Sequence, residues 1–396
     1  MKITFVTNVD DLHAPGGGNQ RTKCILESLK NLLGSENTLE LVVIPYNFFD
    51  SFILEEVANL EMGQDIEFAM KLSWAVKNDE KKIKHHLNRI QDSDFIIIDS
   101  CYHFPILEEI NKKRKHSSKV IYLSQNYEFS LKSEIADLLS WEPAHKKRYL
   151  DFLHELEFKA WTDSDYRLSC SIDDARNLNR ELPSPLASHI VPNGANERSP
   201  SKSTREVILK SLGCDSYVLF VSSGHPPNVS GFIKLLGTDF GFVPSNSRIV
   251  LVGTSGPIIM DRIRGGKYWE TFRNRVSIFG QATDAELDDL YSYCSAVVLP
   301  ILQGSGTSIK AVEAILTGKR VIGTKFAFRG LPPELYTSSQ VILAPSQLDF
   351  KLQLIECFKP TEVDFQLNHT SRQYLWESQA INASNVFRNL ILGEAE

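Results

Sequence analysis

Gly304-Ser305-Gly306-Thr307-Ser308-Ile309-Lys310-Ala311-Val312-Glu313 stands between the apolar run Ser295-Ala296-Val297-Val298-Leu299-Pro300 and the continuation Ala314-Ile315-Leu316-Thr317-Gly318. The pattern predicts a strand, a glycine turn and a helix in succession. A helix start carries backbone N–H groups without intrahelical partners, and the aligned peptide dipoles make it attractive to an anion such as phosphate. Thr307 or Ser308 suits the N-cap, and Lys310 puts a full positive charge in the first turn. Gly304 and Gly306 let a ligand approach the backbone, and Gly318 supplies a left-handed stop. At about 100° per residue, Ile309, Val312, Ile315 and Leu316 share an arc, and Glu313 lies about 40° from Ile309, at the border of the buried face.

A Gly-Ser-Gly run is by itself an ordinary turn, so its meaning depends on the rest of the chain. With 396 residues, 42% hydrophobic and 23% charged, the sequence is long enough for two hydrophobic cores and ordinary for globular protein. A formal net charge of −6 argues against nucleic acid as the main partner. Cys24, Cys101, Cys170, Cys214, Cys294 and Cys357 include no close pair, which excludes the usual zinc and redox spacings and does not resemble a disulfide framework. The start, Met1 to Asp11, has too short an apolar segment for a signal peptide, and no run approaches the ~18 apolar residues of a membrane span. A cytoplasmic location is expected.

Short apolar strands are predicted at Lys2–Thr7, 39–44, 94–98, 119–123 and 166–170 in the first half. In the second half they fall at 217–222, 248–252, 276–279, Ala296–Leu299 and Arg320–Gly323, with helices such as Asp284–Tyr293 and 308–317 between several of them. Alternation of this kind implies right-handed crossovers and parallel sheets, hence an α/β protein of two Rossmann-like domains. Val191-Pro192-Asn193-Gly194-Ala195 and the polar stretch to Thr204 mark the connector. The expected division is 1–197, 198–370 and a terminal helical segment, 371–396, whose large apolar residues should pack back toward the first domain. Basic clusters at Lys81-Lys82-Ile83-Lys84, Lys112-Lys113-Arg114-Lys115 and Lys146-Lys147-Arg148 read as solvated helix faces. Peripheral contact with anionic lipid at the inner face of a membrane is the open alternative.

Three stretches taken in order carry a resemblance. They are Val191-Pro192-Asn193-Gly194, then Ser222-Ser223-Gly224-His225-Pro226-Pro227-Asn228, then Gly304 to Glu313 with Gly318-Lys319-Arg320-Val321-Ile322-Gly323. Together they resemble glycosyltransferase family 4 and its relatives, the glycosyl transferases group 1, over most of the chain. The resemblance implies a GT-B fold, with two Rossmann-like domains facing across a cleft. It implies transfer of a sugar from a nucleotide diphosphate sugar, as co-substrate and without another cofactor, to a hydroxyl of a glycan, lipid-linked saccharide or protein. On the matching positions, Glu313 would hold the ribose, and Gly304, Ser305, Gly306, Thr307, Ser308 and Lys310 the diphosphate. The backbone at Ile278, Phe279 and Gly280 would meet the base, and Gly224 and Asn228 would belong to the donor side. Pro15-Gly16-Gly17-Gly18-Asn19 resembles the family's glycine loop, which with Asn126 would serve the acceptor side.

The sequence departs from that pattern in two places. Ser305 stands where many members carry a second glutamate, and the loop after the first strand of the second half offers His225 and Asn228 in place of an arginine and a lysine. Phosphate charge would then rest on helix dipoles, Lys310, and Lys325 or Arg329. Resemblance favours retention of anomeric configuration, with the leaving diphosphate accepting the acceptor proton; inversion would need a base, for which His103 and Glu128 are the candidates. Asp92-Ser93-Asp94 and Asp163-Ser164-Asp165 precede predicted strands and read as turn residues, so no essential metal is expected. A sugar-nucleotide epimerase of the same fold and a non-catalytic partner subunit are the rival readings.

Overall fold

The computed structural model describes residues 1–12, 17–34, 36–52, 54, 63–113, 118–304, 306–359 and 365–393. The chain divides into two compact units, Met1–Pro192 with Glu377–Glu396, and Asn193–Trp376. Residues 193–197 and 371–376 thus belong with the second unit.

The first unit is built on β1 (Lys2–Thr7), β2 (Thr38–Val43), β3 (Phe95–Ile98), β4 (Lys119–Ser124), β5 (Tyr166–Ser169) and β6 (His189–Ile190), in the order β2-β1-β3-β4-β5-β6. All pairings are parallel, with Ile3 opposite Phe95 and Val6 opposite Ile98. The central strands are largely apolar, and β3 (Phe95–Ile98) is so at every position, because both faces are covered. Val6, Ile96 and Ile98 point into one core with Phe68, Leu72 and Trp161, and Ile3, Phe5 and Ile97 point into the other. That second core is closed by the C-terminal helix Trp376–Phe387 and the turn after it, which lay Ala383, Phe387 and Ile391 against Ile3, Phe5, Ile25 and Leu29. Asn382 and Ser384 donate to the carbonyls of Ile190 and Ser28. The return of the terminal helix to the N-terminal domain, expected from its spacing, is therefore a packing of small and aromatic faces. Each fully buried large side chain contributes about 1.5–3 kcal/mol.

The second unit holds β7 (Ser216–Val221), β8 (Ser247–Val252), β9 (Val276–Gly280), β10 (Ala296–Leu299), β11 (Arg320–Gly323) and β12 (Val341–Leu343), in the order β12-β11-β10-β7-β8-β9. Numbered within the unit, that is the doubly wound Rossmann order, which reverses direction between β7 and β10. The loops leaving β7 and β10 flank this switch point, where such sheets receive ligands. Alternation again divides two cores: Tyr217, Leu219, Val297 and Leu299 on one face, Val218, Phe220, Ala296 and Val298 on the other. The chain segments that bound this unit are tied to each other within it. Ala195 N–H donates to the carbonyl of Tyr374, the Ala195 carbonyl accepts from Trp376 N–H, and a Cβ on Gly194 would meet the Trp376 ring at 2.9 Å.

Candidate functional site

The apolar strand β10 delivers the chain to Pro300, and the glycine turn reverses it into the helix Ile309–Leu316. Gly304 sits at φ +136° and Gly306 at +71°, in backbone conformations that side chains rarely adopt. A Cβ on Gly304 would stand 2.6 Å from Nη2 of Arg329, so that guanidinium lies directly against the turn. Arg329 follows the short turn Lys325–Phe328, which Thr324 caps by accepting from Ala327 N–H and fixes by donating to the carbonyl of Ile301. Ser305 lies outside the described residues.

Ser308 occupies the N-cap position, but its side chain makes no capping bond, contrary to the expected role. Its carbonyl accepts from Ala311 and Val312. Thr307 and Ser308 are buried, and the Thr307 carbonyl accepts from the Asn193 amide at 3.3 Å. The Asn-Gly junction motif thus braces the glycine turn. Lys310 is half-buried on the first turn; burial and the neighbouring charge of Arg329 lower its pKa to about 8, while Glu313 acts in the opposite sense. Two cations and a helix start therefore gather around one glycine turn, a place built for an anion.

Glu313 lies one turn further along. Ala311, Val312, Ala314, Ile315 and Leu316 fill the buried face, which leaves the carboxylate at its border as the helical wheel requires. It is not isolated. Arg198 donates to Oε1 from Nε at 3.2 Å and from Nη2 at 2.5 Å, and the Tyr291 hydroxyl donates to Oε2 at 3.2 Å. Sequence reasoning missed this arginine, because nothing in the spacing says that a connector residue meets position 313.

In the loop after β7, Gly224 N–H donates to the Thr254 hydroxyl at 2.7 Å. Asn228 is buried, and its amide donates to the carbonyl and hydroxyl of Ser223. Asn228 thus braces its own loop, and a direct donor contact for its amide would require giving up those bonds. Ile278, Phe279 and Gly280 end the edge strand β9; Ile278 packs in one core, Phe279 in the other, and Gly280 turns away at φ +73°. The carboxyl ends of β7, β9 and β10 lie on the same edge of a parallel sheet, so the positions assigned to base, diphosphate and ribose share that edge.

In the first unit, the switch point lies between β1 and β3. Gly16 is outside the described residues; Gly17, Gly18 and Asn19 open the helix Gly17–Leu32, with Gly18 exposed and packed toward the Gln125 side chain. Asp99, fully buried, accepts from the hydroxyls of Thr7 and Thr22 and from the Gln125 amide, and burial pushes its pKa up to about 6.

His103 corrects the sequence expectation. It has no exposed surface, its Nε2 bonds the Ile44 carbonyl at 2.8 Å, and it packs among Tyr46 and Phe68. Burial lowers its pKa to about 4, and with no exposed surface the neutral ring sits in the core and presents no atom to a substrate. Glu128 begins the helix Glu128–Leu138 and accepts from Tyr102 at 3.0 Å and Asn126 at 2.9 Å, with burial raising its pKa against the pull of Lys132. Lys132 is paired with Asp65. The backbone N–H groups of Glu128 and Phe129 are held by the buried carboxylate of Glu157, at 2.7 and 3.0 Å.

The two Asp-Ser-Asp stretches serve the backbone. Asp94 accepts from Lys2 N–H and Asp165 from Val120 N–H. Among the described residues, no group of three or more His, Cys, Asp or Glu is placed to hold a metal ion, and no helix is long and apolar enough to cross a membrane. Within the basic clusters, Lys146 and Lys147 pair with Asp137 and Asp151, and Lys82 lies over the Phe52 ring.

No protein-family model matches the chain, and no curated protein matches it in sequence. Solved structures do match in shape. A sucrose-phosphate synthase from Thermosynechococcus elongatus is 16% identical, with 99% of this chain and 100% of that chain covered and a TM-score of 0.69. HepE of Anabaena, in complex with UDP and glucose, is 14% identical, with 98% and 95% covered and a TM-score of 0.58. A trehalose-6-phosphate synthase, studied for enzymatic glycosyltransfer with retention, is 13% identical, with 99% and 98% covered and a TM-score of 0.57. At these identities the likeness establishes the fold: the chain has the GT-B architecture of glycosyltransferases over its whole length.

Proposed function

We infer that the protein is a glycosyltransferase that takes a sugar from a nucleotide diphosphate sugar, with the donor bound by the second unit. The observation that carries this is the gathering of Lys310 and Arg329 about the Gly304 turn, at the start of the helix that bears Glu313. HepE, which shares the fold, is known with UDP-glucose bound, and this supports a uridine or similar nucleotide donor.

In the transfer, the bond from the anomeric carbon to the diphosphate oxygen breaks as the acceptor oxygen bonds that carbon. The leaving group gains negative charge, and preorganised cations and N–H groups stabilise it most in the transition state. Lys310, Arg329 and the Ile309–Leu316 helix dipole fill this role, each charge-assisted bond contributing about 1.5–3 kcal/mol. In a retaining route the departing diphosphate takes the acceptor proton on the same face. Support for retention comes from the core position of His103 and from the Tyr102 and Asn126 bonds that engage Glu128. The cation pair supports a metal-independent reaction, since it supplies charge that a divalent ion supplies elsewhere. Gly17 to Asn19 and Asn126 are assigned to the acceptor side, whether glycan, lipid-linked saccharide or protein.

The test is a thermal-shift panel of nucleoside diphosphates and their sugars, with and without magnesium, because a ligand of the native state raises the melting temperature by mass action. A selective shift, equal with and without magnesium, is the expected outcome. No shift with any nucleotide would overturn the reading in favour of a non-catalytic subunit. Product analysis of the donor alone separates an epimerase, which needs no acceptor.

A further inference from the structure

Arg198 lies in the connector, outside every stretch that carries the resemblance, yet its side chain is only 7% exposed. Its guanidinium bridges two helices. The Nε and Nη2 edge meets Oε1 of Glu313 at 3.2 and 2.5 Å, and Nη1 meets Oδ1 of Asp288 at 2.8 Å. The ring of Tyr291 lies beneath, 5.8 Å from the guanidinium carbon to the centroid.

The connector is itself pinned. Asp289 accepts from the backbone N–H groups of Ser201, Lys202 and Ser203 at 2.8 to 3.2 Å, and the Tyr293 hydroxyl donates to the carbonyl of Ser203. One helix, Asp284–Tyr293, therefore places the connector, the arginine and the glutamate together through Asp288, Asp289, Tyr291 and Tyr293.

A carboxylate has about four acceptor positions, two on each oxygen. Arg198 takes both on Oε1, and Tyr291 takes one on Oε2. Among the described residues, that leaves a single strong position, on Oε2. A vicinal diol donates two hydrogens, so a carboxylate held in this way reads one ribose hydroxyl and not the pair.

We propose that Arg198 is a positioning residue for ribose recognition: its two-pronged grip on Oε1 aims Glu313 and restricts it to one hydroxyl of the nucleotide. The proposal rests on the reading of Glu313 as the ribose acceptor. Lysine at this position keeps the charge but loses the planar two-pronged grip, so it restores the effect only in part.

The experiment uses the full chain and the nucleoside diphosphate that gives the largest thermal shift, together with its 2′-deoxy and 3′-deoxy forms, with dissociation constants from calorimetry. The wild type is expected to lose about tenfold for one deoxy form, the size of one good hydrogen bond to a charged acceptor, and little for the other. Arg198→Ala should bring that preference close to one, leave binding of the disfavoured deoxy form within about twofold, and regain part of the preference as Arg198→Lys. Equal weakening of all three ligands, or a preserved preference, would overturn the proposal. Equal losses for both deoxy forms in the wild type would overturn the one-hydroxyl restriction. Glu313→Ala separates the two inferences: a preference that survives there sinks the ribose reading itself, whereas one lost there and kept in Arg198→Ala sinks only the positioning role. If Arg198→Ala does not fold, Asp288→Asn, which loosens Nη1 alone, is judged by the same ratio.

Discussion

The carboxyl edges of the two sheets are made of similar residue types and arranged in opposite ways. In the first unit, Asp99 and His103 are turned inward and bonded to threonines and a strand-end carbonyl, and Glu157, from the helix Pro143–Thr162, holds the helix N–H groups that follow β4. In the second, Lys310 and Arg329 lie on a glycine turn whose N-cap hydroxyl makes no capping bond. Polar residues at strand ends therefore have two meanings. Where acids and amides satisfy one another they hold the loops, and where like charges gather beside a helix start they suit an anion.

The comparison predicts that substitutions in the first edge act on stability and those in the second act on binding. The largest expected effect is Glu157→Ala, which leaves the N–H groups of Glu128 and Phe129 without their acceptor and should lower unfolding free energy by about 2–4 kcal/mol. Denaturant titration followed by tryptophan fluorescence checks it, and an unchanged midpoint would break the contrast. Next is Lys310→Met, which should weaken nucleoside diphosphate binding about 10- to 100-fold with little change in melting temperature, by the worth of one charge-assisted bond.

A pH series sharpens the same point. With the pKa of Lys310 lowered to about 8, the free protein loses this charge above that pH, while the bound diphosphate favours the protonated amine. Affinity should therefore fall as pH rises from 8 to 9, by up to about tenfold per unit, and Lys310→Met should be flat across that range. The smallest effect is expected for His103→Gln, whose turnover should stay within about twofold of wild type once its stability is matched, since an imidazole with no exposed surface does not reach an acceptor proton. A loss of several hundredfold would restore His103 as a base and argue for inversion.

Most of the fold was legible because parallel strands covered on both faces appear as unbroken apolar runs; Phe95–Ile98 and Ala296–Leu299 need no partner to be recognised. The short edge strands β6 and β12 were not, since two or three residues carry no periodicity. The glycine turn and Lys310 were legible because a helix start with a cation is a local pattern. His103 misled because a histidine between two aromatics reads alike whether it faces a ligand or a core. Arg198 was invisible for a different reason: its partners, Asp288 and Glu313, lie 90 and 115 positions away and come to it only through tertiary packing.

The helix Trp376–Phe387 lies on a core that begins with Ile3 and Phe5, so the ribosome makes the two sides of that contact at opposite ends of its work. At about 5–20 residues per second, the sheet of the first unit waits tens of seconds with one apolar face only partly covered, by the helix Gly17–Leu32, while the second unit is synthesised. The second unit can close around itself as it emerges, whereas the first cannot complete its fold until translation reaches Phe387. A circular permutant that places this helix ahead of β1 would remove the wait, and its yield without chaperones would measure what the delay costs the growing chain.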